Sequence, residues 1–367
     1  MPITSRCNSR CVTCNVWKHK SICDIDPIAL NNAFRDPYFS EVTVVGINGG
    51  ELTLVPNVID IIKATFVLPN LQSLYVISNG LVPNKLFAVL KEVHLECSQR
   101  NISLHFSLSV DGYGKVHELV RGVPNCFVKT KKILDELKEN YQEYCDSWNV
   151  GCTISKYNVA YLREMESFIE QYNVNVEYHL AVPNKRIGTF DDYNYSVLCD
   201  ERSRIMAAEF FYTKYLEEGN TADGRRYYAM YHYLVRKGKD RLCGCSYLKR
   251  DVTIDENLNL LLCATASDVI GSLKEHTASY LMNLNNVKLE EQKISKHCDT
   301  CIHYAYHPMT LRGYRMFLRD YIRRMFIYRY YELKSRPMSW YTIKSILVLY
   351  KKALNKYWGL LFNYCYL

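Results

Sequence analysis

The stretch CNSRCVTC at residues 7–14 places three cysteines, Cys7, Cys11 and Cys14, at the spacing C-x3-C-x2-C. Cysteine thiolates are the usual ligands of iron–sulfur clusters, and such close spacing lets one loop hold one face of a cube. Three thiolates on a [4Fe–4S] cube leave one iron open to a substrate or a cofactor. Zinc and three unrelated thiols are the alternatives. Because a structural zinc site takes four protein ligands, usually from two C-x2-C pairs, the spacing favours the iron–sulfur cluster.

The cysteine content of the chain favours metal binding over disulfide bonding. The chain has 367 residues and 15 cysteines, and its first residues lack the long apolar run of a secretory signal peptide. We therefore expect a cytoplasmic protein in which clustered thiols serve as metal ligands. Cysteines outside the two motif groups are expected to be small buried apolar side chains. They are Cys23, Cys97, Cys126, Cys145, Cys152, Cys199 and Cys365.

Outward from the cysteine stretch, strand-like and helix-like segments alternate up to about residue 195. Runs rich in β-branched residues predict strands at 41–48, 73–78, 102–109, 148–155 and 174–182. Amphipathic patterns predict helices at 24–34, 57–66, 85–97, 127–139 and 160–172, the first of them capped by Asp26. With residues 2–4 as a first strand there are six β–α units. The predicted fold is therefore α/β, with a partial (β/α)6 TIM-type barrel, a small C-terminal iron–sulfur module and a helical tail.

Polar residues stand where these predicted strands end. In parallel α/β folds the reactive site lies at the carboxyl ends of the strands, so these residues are predicted to share one site. They are Gly49, Gly50 and Glu51, then Ser78 and Asn79, then Ser109 and Asp111, and finally Thr153, Ser155 and Asn158. His117 and Arg121 follow the strand at 102–109, and both a structural role and substrate contact remain open for them.

Together with the cysteine loop, these strand-end motifs resemble those of the radical S-adenosylmethionine (radical SAM) enzymes. The resemblance covers residues 2–190 and rests on CNSRCVTC, GGE at 49–51, SVDG at 109–112 and the segment 153–158. It implies that the three cysteines hold a [4Fe–4S] cluster whose open iron chelates the methionine part of S-adenosylmethionine. Reductive cleavage would then give a 5′-deoxyadenosyl radical that abstracts hydrogen from a substrate.

The same resemblance implies a role for each strand-end residue. Gly50 and Glu51 would meet the methionine ammonium, since a carboxylate accepts hydrogen bonds from a charged donor. The other predicted cofactor-binding residues are Gly49 and Asn79, Ser109 and Asp111 near the ribose, and Ser155 or Asn158 near the ribose or the carboxylate.

A second cysteine group follows with the spacing C-x17-C and then C-x2-C. Its members are Cys245, Cys263, Cys298 and Cys301, with Cys243 as a spare. Segment 252–263 resembles the twitch/SPASM-type module that follows many radical SAM barrels. Relatives commonly have glycine where Leu258 stands, so we expect a different turn here. We expect an auxiliary [4Fe–4S] cluster with four cysteine ligands and a role in electron transfer, and a structural zinc ribbon is the alternative.

Four parts are predicted: the barrel at 1–195, a helical bridge at 196–240, the cysteine module at 241–305 and a helical extension at 306–367. The extension is rich in tyrosine and basic, since residues 308–367 carry twelve Lys and Arg against two Asp and Glu. Lysines within the apolar segment 340–362 argue against a membrane-spanning helix. Packing on the barrel, peripheral membrane contact through 340–362 and binding of an anionic partner by 312–329 are the alternatives for this region. No nucleic-acid partner is expected.

The predicted activity is hydrogen abstraction from a peptide or a sugar-type small molecule, leading to its oxidation or modification. A reductant such as flavodoxin or ferredoxin would supply electrons to the cluster. Two other functions are kept as alternatives. One is a non-catalytic zinc protein on a degenerate barrel, and the other is a redox-neutral radical SAM rearrangement with a structural second metal site.

Overall fold

Parallel strands form the central sheet in the order β1-β2-β3-β4-β5. The computed structural model describes residues 1–247, 249–303 and 308–334, with side chains up to residue 326 in the last helix. The strands are β1 (Val44–Ile47), β2 (Ser73–Ser78), β3 (Ser103–Ser109), β4 (Ser147–Ile154) and β5 (Val176–Leu180). Each neighbouring pair is parallel, so each connection crosses over through a helix. The predicted α/β partial barrel is confirmed.

The crossover helices lie where the apolar pattern predicts them, with ends shifted by no more than three residues. They are α1 (Pro27–Phe34), α2 (Val58–Ala64), α3 (Pro83–Ser98), α5 (Cys126–Asn140) and α6 (Leu162–Ile169), and a further short helix, α4 (Lys115–Arg121), was not predicted. The Asp26 carboxylate accepts a 2.8 Å hydrogen bond from the backbone N–H of Ala29 at the start of α1. A cap of this kind contributes about 1 kcal/mol to stability.

The predicted first strand is wrong in extent. Residues 2–4 contribute an isolated parallel bridge between Pro2 and Asn48 beside β1, together with a 2.8 Å hydrogen bond from the Ile3 N–H to the Asn48 carbonyl. Proline has no N–H to donate to a ladder, which limits regular pairing at this edge. The barrel edge is therefore completed by a short bridged segment that leads directly into the cysteine loop.

The two faces of the sheet differ in chemistry. Leu74, Val76 and Phe106 are at most 1% exposed, because they lie under the helices. On the other face, the Tyr75 hydroxyl lies 3.2 Å from Asn149 Oδ1 and 3.2 Å from Glu177 Oε2. Since Tyr75 is on β2 and Glu177 is on β5, this contact requires the sheet to curve, as it does in a barrel. The interior of the partial barrel is thus polar at this level.

Two long helices follow the barrel strands and pack against each other as a hairpin. They are α7 (Glu201–Glu218) and α8 (Ala222–Val235). The side chains of Asp200 and Thr221 cap their first turns by accepting from the N–H groups of Ser203 at 2.8 Å and Gly224 at 3.0 Å. A Cβ at position 224 would lie 2.1 Å from the carbonyl oxygen of Gly219, so glycine is required for this tight connection.

The second cysteine group lies on a small antiparallel sheet and the helices after it. Its strands are β6 (Thr253–Ile254), β7 (Asn259–Leu261) and β8 (Val269–Ser272), followed by α9 (Ala278–Met282) and α10 (Asn285–Cys298). Strands β6 and β7 pair antiparallel as a hairpin, and Leu258 lies in the turn between them. Leu258 itself takes the left-handed conformation, with φ at +65°, that a glycine would adopt there.

The described residues divide into two compact units, one of residues 1–310 and one that begins at Leu311. Helix α11 (Leu311–Lys334) belongs to the second unit and lies within the stretch 306–367 for which a helical extension was predicted. Among the residues that the structure describes, no helix is both long and apolar enough to cross a membrane. Segment 340–362, for which packing on the barrel and peripheral membrane contact were the alternatives, lies outside the described residues.

Candidate functional site

The cysteine loop is anchored on one side by the GGE segment. The N–H of Gly50 donates to the Thr4 carbonyl at 2.7 Å, and the N–H of Glu51 donates to the Arg6 carbonyl at 2.6 Å. A Cβ on Gly50 would lie only 1.8 Å from the Arg6 carbonyl oxygen. Gly50 is therefore needed so that the two backbones can approach each other directly before Cys7.

Helix α4 anchors the other side of the loop. The N–H groups of Arg10 and Val12 donate to the carbonyls of Arg121 at 2.8 Å and Val120 at 2.9 Å. Gly122 ends α4 with φ at +63°, and a Cβ there would lie 2.3 Å from the Arg10 carbonyl oxygen. The short helix missed by the sequence analysis thus holds the middle of the cysteine loop, between Cys7 and Cys14.

Cys7, Cys11 and Cys14 are free and half-buried. Burial raises the pKa of the Cys7 thiol to about 12, and the neighbouring thiolates of Cys11 and Cys14 add to the effect. Burial also raises the pKa of Cys14. A bound cation reverses this preference, because metal ligation requires and favours the thiolate. The buried thiols therefore favour the protonated form, and a bound cation would be what stabilises them as thiolates.

Within the described residues, no group of three or more His, Cys, Asp or Glu side chains converges so as to hold a single metal ion. The three thiols nevertheless share one loop, and their charges influence one another. Three cysteine thiols on one loop are the donor set that iron–sulfur clusters use.

Glu51 is 2% exposed, and its carboxylate is enclosed by hydrogen-bond donors. Oε1 accepts from the Thr53 N–H at 3.2 Å, the Thr53 hydroxyl at 2.9 Å and the Ser78 hydroxyl at 2.8 Å. Oε2 accepts from the Asn79 N–H at 2.8 Å. The carboxylate therefore joins the end of β1 to the end of β2.

Asn79 carries this connection to the cysteine loop. Its Nδ2 donates to Asn8 Oδ1 at 2.8 Å and lies 3.9 Å from the sulfur of Cys7, while its Oδ1 accepts from the Leu81 N–H at 2.9 Å. Because Asn8 neighbours Cys7, the side chain of Asn79 fixes both the loop and the position of the first thiol.

Asp111 and Arg121 form a buried ion pair beside the second thiol. Arg121 Nε lies 2.8 Å from Asp111 Oδ2, and the side chains are 11% and 4% exposed. Arg121 Nη1 also lies 3.8 Å from the sulfur of Cys11. Burial raises the pKa of the Asp111 carboxyl, and the Arg121 guanidinium opposes this rise. The end of β3 is thereby coupled to the cysteine loop through one guanidinium.

The ends of β3 and β4 are tied together by a buried asparagine. Asn158 Nδ2 donates to the carbonyls of Asp111 at 2.9 Å and Thr153 at 3.0 Å, and its Oδ1 accepts from the N–H of Ser155 at 2.7 Å. Asn158 and Ser155 are both fully buried. Ser109 is half-buried at the end of β3. Of the three residues Ser109, Ser155 and Asn158, Ser109 is the one that keeps exposed surface.

His117 has a structural position. Its Nδ1 accepts from the Asp111 N–H at 3.1 Å, and its Nε2 lies 3.2 Å from the Thr130 hydroxyl. The side chain is fully buried, and burial lowers the pKa of His117 to about 3. Of the two roles left open for His117, the contacts fit the structural one, since the ring joins α4 to α5.

The second cysteine group also gathers free thiols. Burial raises the pKa of Cys298, and the charges of Cys245, Cys301 and Cys263 raise it further. Two N–H groups point at the sulfurs: Thr265 donates to Cys263 at 3.4 Å, and His303 donates to Cys301 at 3.5 Å. The charges of Cys245 and Cys263 also contribute to the raised pKa of Cys301. The pKa of Cys243 is raised by burial, without a contribution from these thiols.

The loop after β5 touches both cysteine groups. Its Ile187 carbonyl accepts from the N–H of Asn15 at 3.1 Å, next to Cys14. Its Lys185 N–H donates to the Thr265 carbonyl at 2.8 Å, two residues after Cys263. One segment therefore fixes the cysteine loop against the small antiparallel sheet.

Solved structures with this architecture include anSMEcpe and SuiB of Streptococcus suis. AdoMet-bound anSMEcpe has a TM-score of 0.58 at 16% identity, over 89% of this chain and 98% of anSMEcpe. anSMEcpe with bound AdoMet and the Cp18Cys peptide has a TM-score of 0.56 at 16% identity, over 90% of this chain and 98% of anSMEcpe. SuiB bound to S-adenosylmethionine has a TM-score of 0.51 at 12% identity, over 77% of this chain and 64% of SuiB. Both were solved with S-adenosylmethionine bound. The chain has the radical SAM fold. No protein-family profile and no curated protein sequence matches it.

Within this radical SAM fold, the predicted residues fall into two sets around the cysteine loop. One set joins Glu51 and Asn79 to Cys7, and the other joins Asp111 to Cys11 through Arg121. Ser78, predicted at a strand end, takes part in these contacts, and so do Asn8 and Thr53, which were not predicted to act in the site. Thr53 could have been suggested from the sequence because it lies two residues after Glu51. Asn8 could have been suggested because it lies next to Cys7.

The expectation for the cysteines without a motif is partly wrong. Cys97, Cys126, Cys145 and Cys152 are fully buried, as predicted. Cys199 is exposed, and Cys23 is half-buried. Cys365 lies outside the described residues. Cys199 is exposed because it ends a short turn just before α7, and its thiol donates to the Tyr193 carbonyl at 3.2 Å. Cys23 is half-buried where the barrel edge meets the small sheet, and its thiol lies 3.3 Å from the Glu256 carbonyl.

Proposed function

We propose that this chain is a radical SAM enzyme whose cysteine loop holds a [4Fe–4S] cluster through Cys7, Cys11 and Cys14. The observation that carries the proposal is the set of contacts on this loop. Three free thiols on a loop anchored at both sides lie beside polar residues from the ends of β1, β2 and β3. In parallel folds that edge of the sheet is where reactive sites lie.

The chain's own residues would position the reactants and exclude water. When bound, the cluster and S-adenosylmethionine would supply the electron and the 5′-deoxyadenosyl group needed to abstract a hydrogen atom from a substrate. Asn79 would hold Cys7, and Glu51 would hold Asn79 through its backbone. Ser109, with its exposed surface at the end of β3, would be available to the ribose of S-adenosylmethionine.

Gly50 and Glu51 remain the proposed site for the methionine ammonium, and Gly49 remains a proposed cofactor-binding residue. The side chain of Glu51 is already enclosed by Thr53, Ser78 and Asn79. Glu51 would therefore contribute to cofactor binding through its negative charge and by fixing the shape of the segment. The backbone of the two glycines would make the direct contact with the ligand. Asp111, Ser155 and Asn158 would likewise support the cofactor site through the buried network in which they take part.

We propose that Cys245, Cys263, Cys298 and Cys301 hold an auxiliary [4Fe–4S] cluster that accepts an electron during an oxidation. The mutual influence of their thiols on pKa and the N–H donors aimed at Cys263 and Cys301 support this. Donors to cluster sulfurs are among the features that tune iron–sulfur centres. Structural zinc at this group, with a redox-neutral rearrangement at the barrel, is the second candidate.

A peptide is the substrate class we propose first. The support is that anSMEcpe, which has the same fold, has been solved with bound AdoMet and the Cp18Cys peptide. A sugar-type small molecule is the other candidate, because the polar interior around Tyr75, Asn149 and Glu177 suits a ligand with several hydrogen-bonding groups. Flavodoxin or ferredoxin would be the reductant, and the cytoplasm would be the compartment.

Anaerobic reconstitution with iron and sulfide tests the proposal. Wild-type protein should bind about eight irons per chain and release 5′-deoxyadenosine from S-adenosylmethionine under reducing conditions. Cys11→Ala should abolish cleavage while the barrel stays folded. Cys199→Ala, which removes an exposed cysteine outside both groups, should behave as wild type. Normal cleavage by Cys11→Ala would refute the proposed function.

The auxiliary cluster is tested separately by removing the first one. A variant with Cys7, Cys11 and Cys14 all replaced by Ala should still bind about four irons, because each cluster has its own ligands. If the triple variant bound zinc and no iron, the second cysteine group would be a zinc site and the proposal of an auxiliary cluster would be wrong. Cys298→Ser should leave cleavage of S-adenosylmethionine intact but prevent product formation, and full product yield would favour the redox-neutral rearrangement.

A further inference from the structure

We propose that Arg121 and Asp111 form a charge pair that sets the reduction potential of the cluster held by the cysteine loop. The inference rests on the proposed function, since it concerns that cluster. Arg121 raises the potential through its positive charge and its N–H donor beside Cys11. Asp111 limits the rise by neutralising part of that charge.

The position of the guanidinium carries the first half of the proposal. Arg121 Nη1 lies 3.8 Å from the sulfur of Cys11, at hydrogen-bonding distance for a sulfur acceptor. The side chain is 11% exposed, so water screens its charge poorly. A guanidinium does not lose its proton in proteins, and the charge is therefore permanent. Net charge, hydrogen bonds to sulfur and exclusion of solvent are the factors that set iron–sulfur potentials.

The partners of Asp111 carry the second half. Its Oδ2 lies 2.8 Å from Arg121 Nε, and its Oδ1 accepts from the N–H of Thr153 at 2.8 Å. One oxygen is thus fixed to the backbone of β4 while the other faces the guanidinium. Asp111 is 3% exposed. The carboxylate therefore holds Arg121 in place and offsets its charge at short range. Removing either partner should consequently shift the reduction potential in a predictable direction.

The backbone of α4 keeps the charge at a fixed distance from the thiol. The Arg10 N–H donates to the Arg121 carbonyl, and the Val12 N–H donates to the Val120 carbonyl, on either side of Cys11. Helix α4 and the cysteine loop are therefore joined where the guanidinium reaches the sulfur. If Arg121 served only to hold the loop, replacements that fold normally would leave the potential unchanged.

Three variants test the signs: Arg121→Gln, Arg121→Lys and Asp111→Asn. Each is reconstituted anaerobically, and the midpoint potential of the first cluster is measured by redox titration monitored by electron paramagnetic resonance. S-adenosylmethionine is left out, so that a change in its binding cannot move the potential. A variant lacking Cys298 and Cys301 identifies which signal belongs to the first cluster. Lys214→Gln is the matched control, because it removes a cation paired with Glu166 on a different helix.

Arg121→Gln should shift the midpoint to a more negative value, and Arg121→Lys should lie between Gln and wild type. Asp111→Asn should shift it to a more positive value, and Lys214→Gln should leave it unchanged. An unchanged midpoint potential in Arg121→Gln would overturn this inference without affecting the proposed function. Shifts of the same sign in Arg121→Gln and Asp111→Asn would do the same. If Arg121→Gln assembles no cluster, the positive shift in Asp111→Asn still decides the question. A wild-type protein that binds no cluster would refute this inference and the proposed function together.

Discussion

The backbone N–H of Asn79 donates a 2.8 Å hydrogen bond to the carboxylate of Glu51, which stands 28 residues earlier. The bond joins the loops after β1 and β2, and the side chain of Asn79 then reaches Cys7. A motif that the sequence suggests as a ligand-binding element is therefore also an internal support of the cysteine loop. Both roles predict that Glu51 matters, but they predict different measurements.

Glu51→Ala should destabilise the folded protein, because the donors of Thr53, Ser78 and Asn79 would lose their shared acceptor in a buried site. The expected loss is about 2–4 kcal/mol in the free energy of unfolding, measured by urea denaturation of the cluster-free protein. Glu51→Gln keeps one acceptor oxygen and should lose less than half as much. An Ala variant as stable as wild type would leave ligand binding as the sole role of this side chain.

Gly50→Ala should prevent the cysteine loop from docking, because the new Cβ would lie 1.8 Å from the Arg6 carbonyl oxygen. The backbone at Arg6 would have to move, so we expect loss of bound iron and a clear drop in melting temperature. Gly46→Ala is the matched control, since no atom lies within 4 Å of a Cβ there. It should change stability by about 0.5 kcal/mol or less. Equal iron content in both variants would contradict the docking described for the loop.

At Leu258 we expect a glycine variant to be more stable than an alanine variant, which is the reverse of the usual order. The residue is fully buried but has a φ of +65°, so it combines favourable burial with unfavourable backbone geometry. Both Leu258→Ala and Leu258→Gly should lose about 2–4 kcal/mol of stability. The Gly variant should be the more stable of the two by about 1 kcal/mol, because only glycine relieves the left-handed strain.

Leu260, fully buried in β7 nearby, provides the control for this comparison. Its backbone is not left-handed, so Leu260→Ala should be more stable than Leu260→Gly by about 0.5–1 kcal/mol. Thermal unfolding of the four variants gives both orders directly. If alanine were the better replacement at both positions, backbone strain at Leu258 would have no measurable weight.

His117 should make stability depend on pH. Burial lowers its pKa from 6.5 to about 3 in the folded protein, so the unfolded chain binds the proton more readily. The contribution of the neutral ring is fully present above about pH 6.5 and is lost as the pH falls towards 3. The loss should reach about 2 kcal/mol at pH 5. His117→Asn, which can still accept from the Asp111 N–H, removes the titrating group.

The measurement is the difference in unfolding free energy between wild type and His117→Asn at pH 7.5 and at pH 5. That difference should shrink by about 2 kcal/mol at the lower pH, because wild type alone loses the contribution of this ring. The comparison cancels the effects of His179 and His303, whose pKa values are also lowered and which are present in both proteins. A constant difference would mean that the pKa of His117 is the same in the folded and the unfolded protein.

Local patterns were enough to predict most of the fold. The five strands of the sheet and their crossover helices follow from apolar periodicity, and the cap of α1 follows from Asp26 beside Pro27. Helix α4 was missed because it has only seven residues between two glycines, which is too short for a periodic signal. The bridged segment at 2–4 was overestimated because pairing depends on the neighbouring strand, which a local pattern does not contain.

The sequence by itself determined the spacing of Cys7, Cys11 and Cys14 and the placing of polar residues at the strand ends, because both are short-range properties of the chain. Only the tertiary structure decided that Glu51 is enclosed by Ser78 and Asn79, and that Arg121 reaches Cys11 across 110 residues. Such contacts depend on how the strands curve and where each helix packs. A buried charge takes the partner that folding brings within hydrogen-bonding distance, and separation along the chain does not specify which partner that is.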